Sequence, residues 1–118
     1  MGLGLLFQPP TANLQAQSGT FYIGTYDIVD PKEFQKYPPI VMALLPKYGG
    51  VVLASDTNGV LVEGTARTMN AIIRFPSKEA ALGLYNDPLY QEGKRIRQAS
   101  TKNTSMVLVE EFQTAKST

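Results

Sequence analysis

The side chains of Thr20 to Ile28, "TFYIGTYDI", fall into two alternating sets: Phe21, Ile23 and Thr25 against Tyr22, Tyr26 and Ile28. A period of two among β-branched and aromatic residues predicts a strand, and apolar groups in both sets predict a central one, covered on both faces. From Asp30 the period changes to three and four, and Phe34, Tyr37, Val41, Leu44 and Tyr48 lay one apolar stripe along a helix. Asp30 supplies the N-cap, Pro31 the first helical residue and Gly49 a left-handed stop. Pro38 and Pro39 interrupt the stripe, and because an interior proline costs about 3 kcal/mol, the helix must kink or restart there.

"GVVLASD" predicts a second strand, Asn58-Gly59 a tight turn, and "VLVEG" a short return strand. "AIIRF" ends a third strand with Ala71, Ile73 and Phe75 on one face and Asn70, Ile72 and Arg74 on the other. Pro76 stops that strand, and Ser77 caps a helix whose apolar side is Ala81, Leu82 and Tyr85. Asp87 and Pro88 repeat the cap-and-proline start for a second, angled piece. Here Leu89, Gly93 and Ile96 face inward, while Lys94, Arg95 and Arg97 reach the surface or the rim of a pocket, a solvated helix face being the expectation for Arg97. "TSMVLVEEF" is the last strand, with Met106 and Leu108 alternating against Val107 and Val109.

This order is a βαββαβ pattern. It predicts an α+β, ferredoxin-like domain with a four-stranded antiparallel sheet and the helices on one face. The opposite face, carrying Tyr22 and Tyr26 or the alternate set, has nothing in the chain to cover it. Sheet-on-sheet packing in a homodimer is the economical cover.

Composition then narrows the chemistry. The 118 residues fit one domain over 20–113, between a flexible arm over 1–19 and a tail over 114–118. The chain has no cysteine and no histidine, which excludes disulfides, thiolate and Ser-His catalysis, and histidine-held zinc. No metal and no cofactor is called for. A net charge of +1, with only the short basic cluster around Arg95, argues against nucleic acid. No run approaches the roughly 18 apolar residues that would span a membrane. The cytoplasm is the expected compartment, with the periplasm or secretion as the alternative if residues 1–19 are the remnant of an export signal.

Several stretches together resemble a known bacterial family: "KYGG" after the first helix, "VEG" after the second strand, "RFPSKEAALGLYNDPLYQ" from Arg74 to Gln91, and the terminal "LVEEF". That family is catalogued as domain of unknown function 1330. The resemblance runs from about Tyr22 to Phe112 and implies a dimeric α/β barrel, in which ferredoxin-like subunits meet face to face and a small cavity lies between sheet and helices. It implies no established reaction. Arg74 stands where the family pattern commonly has an acidic residue and Leu84 where it commonly has tryptophan, so a pocket at those positions carries its charge differently here.

Candidate ligand-binding residues follow from that cavity. Tyr37, Tyr48, Tyr85 and Tyr90 sit on helix faces or ends around it, with rings that bury well and hydroxyls that need a partner. The Asn86 amide either shapes a turn or points inward. Glu63 and Arg74 are charges on or beside strands, where a charge must be exposed, paired or poised in a pocket. Arg97 has a planar fork suited to a carboxylate. Three readings stay open: a binding protein for a small organic ligand, carboxylate or aromatic; a cofactor-free enzyme of isomerase or monooxygenase type on a small organic acid; and a dimerisation module without ligand. No catalytic residue is assigned.

Overall fold

The computed structural model describes residues 18–113. The expected arm and tail lie outside them, apart from the last two residues of the arm. Strand β1 covers Thr20–Ile28, helix α1 Pro31–Phe34 and α2 Tyr37–Tyr48; β2 (Val51–Asp56) and β3 (Met69–Phe75) follow, then α3 (Lys78–Asn86), α4 (Pro88–Ser100) and β4 (Thr101–Glu110). All pairings are antiparallel and the strand order is β2-β3-β1-β4. That is the ferredoxin-like α+β arrangement, with β1 central as its two-sided apolar pattern required.

The cap chemistry works as the residue types dictate. Asp30 accepts from the Glu33 amide, Ser77 from Ala80, and Asp87 from Leu89. The proline pair restarts the helix rather than bending it: α1 ends at Phe34, and Pro38 falls in the first turn of α2, where its missing N–H has no partner to lose. Gly49 ends α2 at φ 71°. A Cβ there would enter the left-handed region and stand 2.9 Å from Pro76 Cγ. Gly49→Ala is therefore expected to cost about 1 kcal/mol, read as a lower midpoint in urea denaturation; an unchanged midpoint would show that the stop is not needed.

The sheet uses its two faces differently. Tyr22, Tyr26, Ile73, Phe75, Met106 and Leu108 lie against the helices, so the alternate set of β1, Phe21, Ile23 and Thr25, occupies the open face. Across that open face the register aligns Ala54, Ile72, Ile23 and Val107 in one row and Val51, Arg74, Phe21 and Val109 in the next.

Three expectations are corrected. "VLVEG" forms no strand: residues 57–68 make a loop in which Val60 and Val62 are 88% and 93% exposed, because no surface of the described residues lies against them. In α3 and α4 the inward positions belong to Leu84 and Tyr90, while Leu82 and Leu89 are exposed. Arg97 is not on a solvated face but is buried at 4% exposure. It lies seven residues after Tyr90 and four after Gly93, on the same side of α4.

Candidate functional site

A cavity of about 580 Å³ lies between the sheet and the helices. Its floor is Tyr22, Tyr26, Ile73 and Met106 from the sheet, and its roof Phe34, Tyr37 and Leu45 from α1 and α2, with Leu84, Tyr85 and Tyr90 from α3 and α4. Met42, Lys78 and Leu82 line it and are also exposed, which marks them as its mouth.

Gly24 makes part of this space. Tyr22 and Gly24 point the same way from β1, and a Cβ on Gly24 would collide with the Tyr22 phenol. The missing side chain lets the Tyr22 ring lie down along the sheet. A second close approach is at Gly93, where a Cβ would come within 3.1 Å of Ile40 Cγ2, so α4 sits tight against α2.

The polar centre is a pair of phenols. Tyr37 on α2 and Tyr90 on α4 share a buried hydroxyl–hydroxyl hydrogen bond of 2.8 Å. Their rings meet edge-on at 6.1 Å, Phe34 packs on Tyr37 at 5.5 Å, and Tyr85 on Tyr90 at 5.5 Å. Burial pushes the hydroxyl of Tyr37 well above the ordinary tyrosine range, and its neighbour Tyr90 adds to this. Tyr22 is raised in the same way, and Tyr26 is pushed up to about 12. These three are neutral donors at physiological pH, not bases.

Arg97 stands beside this centre. It lines a shallower recess that adjoins the cavity through Tyr85 and Met106. It follows Tyr90 by two turns on the same side of α4, and its charge acts on Tyr22, Tyr26 and Tyr37. Burial works against that charge, but the Tyr90 and Tyr37 hydroxyls outweigh it and hold the group protonated. No carboxylate among the described residues pairs with Arg97, and its buried Nε has no hydrogen-bond partner there.

Of the sequence candidates, the cavity thus brings together Tyr37, Tyr85 and Tyr90, with Arg97 alongside. The others lie elsewhere. Tyr48 donates its hydroxyl to Asp87, which also takes Lys47 Nζ at 2.9 Å and caps α4; Tyr48, then Lys47, hold its carboxyl down at about 2. Asn86 is exposed at the end of α3. Arg74 is on the open face, paired with Glu111 at 3.0 Å. Glu63 is exposed in the 57–68 loop, beside a polar hollow shared with Thr25 and Asn70. Sequence reading did not propose Tyr22, Tyr26 or the gap at Gly24 as site features; the signal was present in the alternation of β1, but it did not say on which side the helices would land.

Among the described residues there is no cluster of three His, Cys, Asp or Glu side chains able to hold a metal, and no helix is long and apolar enough to cross a membrane.

Comparison with known proteins agrees on the fold. A solved protein of unknown function from Rhodopseudomonas palustris is similar with a TM-score of 0.71 at 15% identity, covering 89% of this chain and 93% of that one. A protein from Bacteroides fragilis, described as dimeric and ferredoxin-like and of unknown function, has a TM-score of 0.57 at 13% identity over 80% of this chain and 96% of its own. SnoaB from Streptomyces nogalater, described as a cofactor-independent oxygenase, has a TM-score of 0.59 at 12% identity over 83% of this chain and 97% of its own. No curated protein matches the sequence. The family model described as Domain of unknown function (DUF1330) matches residues 19–112, nearly the whole of the described domain, and the chain belongs to that family.

Proposed function

We propose that the protein is a homodimer in which each subunit binds a small, mainly apolar organic molecule between its sheet and its helices. The observation that carries the reading is the cavity of about 580 Å³, walled by aromatic and aliphatic side chains around one buried pair of hydroxyls. That size and lining are those of a pocket for a small organic ligand. The dimer is supported by the open face, where Val51, Ile72, Val107 and Val109 stay 39–57% exposed or close to it, at 37% for Ile72. A neighbour of the same fold is described as dimeric.

Turnover of the kind named for SnoaB is the second reading, and the lining supports it less. Proton abstraction needs a base within reach, and the lining residues include no carboxylate and no imidazole, while Tyr22, Tyr26 and Tyr37 have raised pKa values.

Thermal denaturation against a panel of naphthalene-sized aromatic compounds tests the reading. A compound at a hundredfold excess over its Kd adds about 2.7 kcal/mol of stability and raises the Tm. Gly24→Val, which forces the Tyr22 ring off the sheet and into the cavity, should fold but lose the shift. A panel in which nothing raises the Tm, or in which Gly24→Val responds like the wild type, overturns the proposal.

A further inference from the structure

We infer that the cavity's ligand is an organic monoacid whose carboxylate sits on the Arg97 guanidinium beside the Tyr37 and Tyr90 hydroxyls, with its apolar body in the aromatic chamber. The inference rests on the binding role proposed above and names its ligand class.

Arg97 is the reason. Arg97 as a whole residue is 4% exposed and its Nε is buried, and a buried cation is normally compensated by a carboxylate. Here none of the five ion pairs among the described residues includes it, and Nε is left without a partner. The groups its charge reaches are phenols: Tyr22, Tyr26, Tyr37 and Tyr90. Neutral hydroxyls can donate to an anion but cannot balance a cation. The site is therefore one negative charge short, with donors already in place around the gap.

The shape of the missing group follows from its surroundings. A guanidinium presents parallel N–H donors that match a planar carboxylate in bidentate fashion. One cation calls for one negative charge; a phosphate monoester would bring close to two, and Lys78, the cation among the residues that line the cavity itself, is exposed at its mouth. The rest of the lining is apolar, dominated by Phe34, Leu45, Ile73 and Leu84, so the remainder of the molecule is hydrocarbon or aromatic.

The test uses the full chain and an uncharged fluorophore, N-phenyl-1-naphthylamine, displaced at pH 7 by 3-phenylpropionate or by 3-phenylpropionamide, which share a body and differ in charge. In the wild type the acid should displace the fluorophore at about thirtyfold lower concentration than the amide, as befits a charge-assisted bidentate contact. In Arg97→Met, which keeps length and removes charge, the ratio should fall to near one. Arg97→Lys keeps the charge without the fork and serves if the methionine variant does not fold; its ratio should fall below about tenfold. Tyr37→Phe should lower the ratio by a smaller factor. Equal displacement by acid and amide in the wild type, or a ratio that survives in the Arg97 variants, overturns this assignment while fluorophore binding leaves the cavity reading standing. A wild type that does not bind the fluorophore overturns both.

Discussion

Raising the pH from 9 to 12 is expected to unfold the protein in one cooperative step. Burial raises the hydroxyls of Tyr22, Tyr26 and Tyr37 above the ordinary value near 10, Tyr26 to about 12 and the other two further. A group whose pKa is higher folded than unfolded contributes its full stability below the unfolded value and loses it as the pH climbs towards the folded one. Above pH 10 the unfolded chain releases these protons and the folded protein keeps them. Each such hydroxyl then withdraws about 1.4 kcal/mol per pH unit, and three of them withdraw roughly 4 kcal/mol per unit. By pH 12 the loss reaches about 8 kcal/mol, more than the whole stability of a domain in the lower half of the usual ~5–15 kcal/mol. Absorbance at 295 nm should report tyrosinate appearing together with the loss of far-ultraviolet ellipticity. Tyr26→Phe, by removing one titrating group, should move the transition to higher pH. A gradual ionisation of all six tyrosines around pH 10, with ellipticity intact, would contradict the burial of the phenolic centre.

Ile23→Asp is expected to convert the proposed dimer into monomers. Ile23 lies in the middle of the open face, flanked in its row by Ile72 on β3 and Val107 on β4. Two sheets packed face to face would bury that position, and an unpaired carboxylate there costs several kcal/mol per subunit, enough to lower the affinity by orders of magnitude. The cavity lies behind the other face, so the folded core should persist. Sedimentation velocity at micromolar concentration separates the outcomes. A wild type that runs as a single subunit, or a variant that stays dimeric, would remove the open face from consideration as the contact between copies.

The positions that revealed themselves in the sequence are those governed by local chemistry. Asp30, Ser77 and Asp87 each cap the helix that their side-chain type and following proline or polar residues announce. Pro38 restarts a helix, Gly49 ends one, and Ala71, Ile73 and Phe75 share one face of β3, all from rules that span a few residues. What stayed hidden depends on which side of the sheet the helices occupy. Both sets of β1 are apolar, so Tyr22 and Tyr26 could not be told from Phe21 and Ile23 before the helices were placed. Arg97 shows a different failure: charge type argued for solvent, while its spacing from Tyr90 and Gly93 argued for the interior, and spacing won. "VLVEG" has the composition of a strand, yet its side chains find no partner among the described residues, and composition alone does not supply one.

Asp87 holds Lys47 and Tyr48 from the end of α2 at the junction of α3 and α4, so a single carboxylate pins three helices at one point. None of them can lift by itself without breaking that joint. The parts of the roof carried by α2, α3 and α4 therefore share one joint, while the edge of the chamber near Met42, Leu82 and Lys78 is left facing solvent.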